Sequence, residues 1–103
     1  MKKITINKLY HINFSIIVDV RERKEFEIKH LNNSINIPAF ELTSNPQNYI
    51  KKDDIVCLIC QTGYRSKKVA KKLSKMGFNV FYVKNGLDTI LYWLLEQLYS
   101  YHL

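Results

Sequence analysis

The residues best suited to chemistry are Cys60-Gln61-Thr62-Gly63-Tyr64-Arg65-Ser66. They follow a short apolar run rich in β-branched residues, Ile55-Val56-Cys57-Leu58-Ile59, which reads as a buried strand. Beyond them the sequence predicts a helix from Lys67 to about Met76, with Ser66 as its cap. A cysteine between a strand end and a helix start is placed for nucleophilic chemistry. The helix offers free N–H groups and the positive end of its dipole, and both stabilise a thiolate. Gly63 permits a tight loop whose amides can point inward at an anion. The competing reading of Cys60 is a small buried core residue. The neighbouring glycine and arginine and the helix start favour the nucleophile.

Cys57 and Cys60 form a CxxC, which raises a redox or zinc reading. Redox pairs of this spacing usually open a helix, whereas Cys57 lies inside the predicted strand. Three scattered histidines are a poor supply of further zinc ligands. Strand residues alternate faces, so Cys57 and Cys60 are expected on opposite sides, with Cys57 in the core. Arg65 has two roles open to it: gripping an anion bidentately, or an ion pair with Asp19 at the neighbouring strand end. His30, Asp19 and Arg21 read as structural hydrogen-bonding residues.

The elements that must position this loop follow along the chain. Ile4-Thr5-Ile6 is a weak strand candidate, Asn7–Asn13 a turn or helical turn, and Phe14–Val20 a strand buried on both faces. Arg23–His30 is a short helix and Ser34–Ile37 a short strand ending at Pro38. Ala39–Ile50 is one or two helical turns, broken at Asn45-Pro46. Gly77 stops the central helix, Phe78–Val83 is a strand, and Asn85-Gly86 is a turn. Leu87, Ile90, Leu91, Leu94, Leu95 and Leu98 have the spacing of a closing helix. Alternating strands and helices predict an α/β domain with a mainly parallel sheet of about five strands, flanked by helices on both faces. Ligands of such sheets bind at the carboxyl ends of the strands, where Cys60 sits.

With 103 residues, 47% of them hydrophobic, the chain is expected to form one domain over residues 1–103. The net charge of +7 favours an anionic partner. No basic stripe interleaved with aromatics stands out, so a small anion is expected and nucleic acid is not. Lys67, Lys68, Lys71, Lys72 and Lys75 share one side of the central helix, opposite Val69, Ala70, Leu73 and Met76. That face is either ordinary solvated surface or a device steering anions toward Cys60. Two cysteines make no disulfide scaffold and suit a reducing compartment. Lys2 and Lys3 resemble the start of a signal peptide, but Asn7, Lys8, His11 and Asn13 interrupt any apolar region. The expectation is a protein that begins near Met1, does not enter the membrane and stays in the cytoplasm.

Three stretches resemble the single-domain rhodaneses, a family of sulfurtransferases. Asp19-Val20-Arg21-Glu22, followed by Glu25-Phe26 and His30, is similar to the family's first signature. Ser34-Ile35-Asn36-Ile37-Pro38 resembles the strand that follows it, and Cys60–Ser66 its active-site loop. The Gly77-Phe78 turn, Asn85-Gly86 and Trp93 are similar to the closing segment. Lys29 and Asn33 stand where the family usually has glycines, and Asn85-Gly86 where it often has two.

The resemblance implies transfer of sulfane sulfur through a Cys60 persulfide. A donor such as thiosulfate would load it, a thiol or cyanide would accept from it, and no metal or organic cofactor would be needed. Gln61, Thr62, Gly63, Tyr64, Arg65 and Ser66 would cradle the transferred sulfur. One alternative is a sulfur-relay module loaded by a partner desulfurase, with a protein as donor or acceptor. Another is a cysteine phosphatase or arsenate reductase. Such phosphatases place five residues between Cys and Arg, and this chain places four. The smaller ring suits one sulfur atom better than phosphate.

Overall fold

A computed structural model of the chain describes residues 1–89. Five parallel strands make one sheet: β1 (Lys2–Ile4), β2 (Ile16–Asp19), β3 (Ile35–Asn36), β4 (Ile55–Ile59) and β5 (Asn79–Val83), in the order β1-β5-β4-β2-β3. Helices α1 (Arg23–Ile28), α2 (Ala39–Ser44) and α3 (Tyr64–Lys75) lie between them in sequence, with single 3-10 turns at Ile6–Lys8, Pro46–Asn48 and Gly86–Thr89. Every parallel pair needs a crossover, which is why helices alternate with strands. No helix among the described residues is long and apolar enough to cross a membrane.

The sheet has a core on each face. Val56, Leu58 and Cys60 point with Val18, Val80 and Tyr82 toward Leu42 of α2 and Val69, Ala70 and Leu73 of α3. Cys57 and Ile59 point the other way, into a cluster with Ile4, Ile6, Leu9, Leu31 and Val83. Strand β4 is central, and Val56 through Ile59 are fully buried. Each of its apolar side chains contributes on the order of 1.5–3 kcal/mol, so the strand that carries Cys60 is held firmly. The alternation also places the two cysteines on opposite faces, as the strand reading requires.

Some boundaries differ from the sequence expectation. β1 runs Lys2–Ile4, earlier than predicted, and Ile6 starts a 3-10 turn. Exposed lysines on an edge strand hide its alternation, with Ile4 as its one buried residue. Met76, expected on the buried side of the helix, is exposed. The helix ends there: Phe78 N–H donates to Leu73 O and Gly77 N–H to Ser74 O, and the Phe78 side chain takes the buried place. Asn33 and Asn85 have φ of 68° and 62°. At both positions asparagine holds the left-handed conformation that a glycine would otherwise supply. Of the predicted closing helix, Leu87 falls in the Gly86–Thr89 turn and packs against the second core cluster. Ile90, Leu91, Trp93, Leu94, Leu95 and Leu98 lie outside the described residues.

Candidate active site

Cys60 directly follows β4, on the face that α3 covers, and its side chain is fully buried. Its Sγ accepts the Gly63 N–H at 3.2 Å and the Ser66 N–H at 3.3 Å. The thiol donates to Ser66 Oγ at 3.4 Å, and Ser66 Oγ donates to Gly63 O at 3.2 Å. Ser66 is therefore not the cap that its position suggests. Gly63 occupies the cap with φ of 91°, so α3 begins at Tyr64 and Tyr64-Arg65-Ser66 form its first turn. Starting the helix earlier turns the Ser66 amide, one of the free N–H groups of that turn, onto the sulfur.

Gly63 and Gly86 fix the loop from behind. A Cβ at Gly63 would lie 2.8 Å from Asn85 N, in a backbone conformation that L side chains rarely adopt. A Cβ at Gly86 would lie 2.1 Å from Cys60 O and 2.8 Å from Gln61 O. The turn after β5 packs directly on the loop because Gly86 has no side chain. It then hydrogen-bonds it: Leu87 N–H donates to Cys60 O at 2.9 Å and Asp88 N–H to Gln61 O at 3.0 Å. The Gln61 side chain donates to Asp88 Oδ1 at 2.7 Å. Nothing in the sequence beyond the Asn-Gly turn signal announces this contact.

Arg65 makes the expected kind of ion pair with a different partner. Its guanidinium donates to both oxygens of Glu25 in α1, at 2.8 and 3.0 Å. Asp19 is buried and already engaged by Arg21, whose Nε, Nη2 and backbone N–H all donate to its carboxylate. The Arg65 guanidinium holds the Glu25 carboxyl down at about 2, and Glu25 in turn raises Arg65. Glu25 also accepts the Glu22 N–H at 2.8 Å, so it orders the start of α1 while tying α1 to α3. Arg21 reaches further, to Lys29 O at 2.7 Å and Gln61 Oε1 at 3.4 Å, linking the end of β2 to the loop.

The remaining predicted residues divide between the loop and its surroundings. Thr62 is exposed, and its Oγ1 accepts the Tyr64 N–H at 3.4 Å. Tyr64 is exposed, with Lys68 Nζ over its ring. His30 has its Nδ1 2.7 Å from Phe26 O and stacks on the Phe26 ring, a structural role. Burial pushes the Cys57 thiol up to about 12, so it stays protonated and inert on the far face.

The family model for the rhodanese-like domain matches residues 5–91. The chain belongs to the rhodanese-like family. Its fold is that of a rhodanese-related protein from Thermoplasma volcanium, 32% identical with a TM-score of 0.78, the match covering 93% of each chain. A rhodanese-like domain protein from Staphylococcus aureus is 32% identical with a TM-score of 0.72, over 84% of this chain and 88% of that one. Among curated relatives, the adenylyltransferase and sulfurtransferase UBA4 of Candida albicans is 39% identical over 80% of this chain and 20% of its own length. The putative sulfur carrier protein YrkF of Bacillus subtilis is 36% identical over 60% of this chain and 33% of its own. This rhodanese-like chain thus spans a fifth to a third of the length of these two curated relatives.

Proposed function

We propose that this rhodanese-like protein is a sulfurtransferase that carries sulfane sulfur as a Cys60 persulfide. The observation that carries the reading is the Cys60 sulfur held between the Gly63 and Ser66 N–H groups at the start of α3. Two donors and a helix N-terminus favour negative charge on that sulfur and on one bonded to it. The Cys60 thiolate attacks the outer sulfur of a donor such as thiosulfate. A new S–S bond forms, the donor's S–S bond breaks, and sulfite leaves with the electron pair. A thiolate or cyanide then attacks the terminal sulfur, and Cys60 leaves as thiolate, ready for the next donor. Kinetics are double-displacement. The loop Gln61–Ser66 cradles the carried sulfur, and the chain's own cysteine is the only carrier this scheme requires. A reducing compartment, the cytoplasm, suits a chain whose two cysteines are both free.

The engagement of Arg65 with Glu25 supports sulfur over phosphate as cargo. A phosphoryl-type centre needs its arginine turned into the ring, and here both guanidinium bonds go to α1. Relatives named as a sulfurtransferase and as a putative sulfur carrier keep a protein donor or acceptor open beside small molecules. Intact-mass analysis after incubation with thiosulfate, followed by peptide mapping, tests the proposal. One added sulfur on Cys60 is expected. No addition, or addition elsewhere, overturns thiosulfate loading at Cys60. Loading of Cys60 by a persulfide-bearing protein alone would assign the relay role instead.

A further inference from the structure

Behind the loop, on the α3 face of the sheet, lies a concavity whose lining does not include Cys60. It measures about 290 Å³ and is lined by Lys3, Thr62, Gly63, Tyr64, Lys67, Tyr82, Lys84 and Asn85. Its origin is topological. β1 is the sheet edge beyond β5, with Lys3 paired to Tyr82. Lys84 N–H donates to Ile4 O at 2.8 Å and carries the ladder one residue further. Alternation therefore puts Lys3, Tyr82 and Lys84 on one face. Lys2 points to the other face, its Nζ over the Phe81 ring. α3 packs over β4 and β5, and its first turns supply the opposite wall through Tyr64 and Lys67.

Three lysines from three separate elements converge here, and none of the eight lining residues is acidic. Three positive charges around one concavity favour an anion there. Lysines act as point charges without a planar fork, and three of them around one small concavity suit a compact group that carries two or more charges, as phosphate does. Thr62 and Asn85 add neutral hydrogen-bonding groups to the lining. The volume is at the small end of the range for ligand sites, which suits a small anion.

We infer that this groove binds a phosphate-type oxyanion carrying two or more negative charges, at a site separate from Cys60. The two places share one wall, Thr62-Gly63-Tyr64 of the loop proposed to cradle the sulfur. Gly63 lines the groove and also donates its N–H to Cys60 Sγ. The inference does not depend on the persulfide reading.

The test is calorimetric titration of the whole chain with pyrophosphate at about 0.1 M ionic strength, where charges more than about 10 Å from the anion are largely screened. The Lys3→Gln/Lys84→Gln variant is expected to bind about tenfold more weakly or worse. Lys71→Gln/Lys75→Gln removes the same charge from the exposed side of α3 and is expected to change affinity by less than about twofold. Cys60→Ser is expected to bind pyrophosphate like the wild type. Malonate, a dicarboxylate of lower charge, is expected to bind about tenfold more weakly than pyrophosphate. Equal losses in the two lysine pairs would reduce the effect to net charge and overturn the site. Loss of binding in Cys60→Ser would move the anion to the loop, and malonate binding as well as pyrophosphate would overturn the phosphate assignment. Circular dichroism and melting of each variant separate lost binding from lost fold.

Discussion

At the scale of the residue, two cysteines three positions apart have opposite fates because one strand alternates. Cys60 meets two N–H donors, while Cys57 is buried in the apolar cluster on the other face and has its thiol pushed up to about 12. Cys60→Ser is expected to abolish sulfur transfer without unfolding, because an alcohol supplies almost no anion at neutral pH. Near-normal turnover in that variant would refute the persulfide. Cys57→Ala is expected to keep turnover and to cost about 1–2 kcal/mol in urea unfolding through a small void. Abolished turnover would instead require a dithiol mechanism. The opposite orientation of these cysteines is legible from sequence, since it follows from the period of the strand. The role of Ser66 is not. A serine ahead of an amphipathic run reads as a cap, and only the positive φ of Gly63 starts the helix three residues sooner.

At the scale of the element, β4 is legible to the residue because a continuous apolar run bounded by polar loops has one comfortable place, the sheet centre. The ties between elements are not legible, since they join positions far apart in sequence. Glu25 grips Arg65 forty residues away. Its carboxyl falls from the ordinary 4.5 to about 2 in the folded chain, chiefly through Arg65. A lowered carboxyl stabilises the fold fully above about 4.5, and that contribution is lost as pH falls through about 2. Both partners are more than a third exposed, so the contribution is at most about 1 kcal/mol. An NMR titration of the Glu25 carboxyl is expected to show its midpoint near 2, and a midpoint near 4.5 would mean the pair is absent in solution. The contact of Gly86 with the Cys60 carbonyl is equally hidden, because an Asn-Gly pair announces a turn but not what the turn touches. Gly86→Ala would drive a methyl to 2.1 Å from that oxygen. The expected cost is on the order of 2–4 kcal/mol in stability, with transfer activity falling as Cys60 shifts. A stability change under about 0.5 kcal/mol, the size of an ordinary surface substitution, would show that the turn does not buttress the loop.

At the scale of the whole molecule, the chain carries a net charge of +7 and its proposed donor is an anion. On α3, Lys68, Lys71 and Lys72 are exposed, and they follow the turn whose amide touches the Cys60 sulfur. A helix rises about 1.5 Å per residue, so these charges begin within one Debye length, about 8–10 Å, of that turn at physiological ionic strength. A field of this kind raises the rate of encounter and leaves the chemistry of a bound donor alone. Changing all three to Gln is therefore expected to lower kcat/KM for thiosulfate severalfold at low salt, with kcat at saturation nearly unchanged. The deficit is expected to shrink as salt rises and to be absent for a neutral sulfur donor. Lys67 stays in place in this variant because it lines the groove behind the loop. Were the lysines only the solvated side of an amphipathic helix, the salt curves of wild type and variant would run parallel. A deficit that persists at high salt would mean instead that one of the three touches the donor, since screening removes attraction at a distance and spares a direct contact.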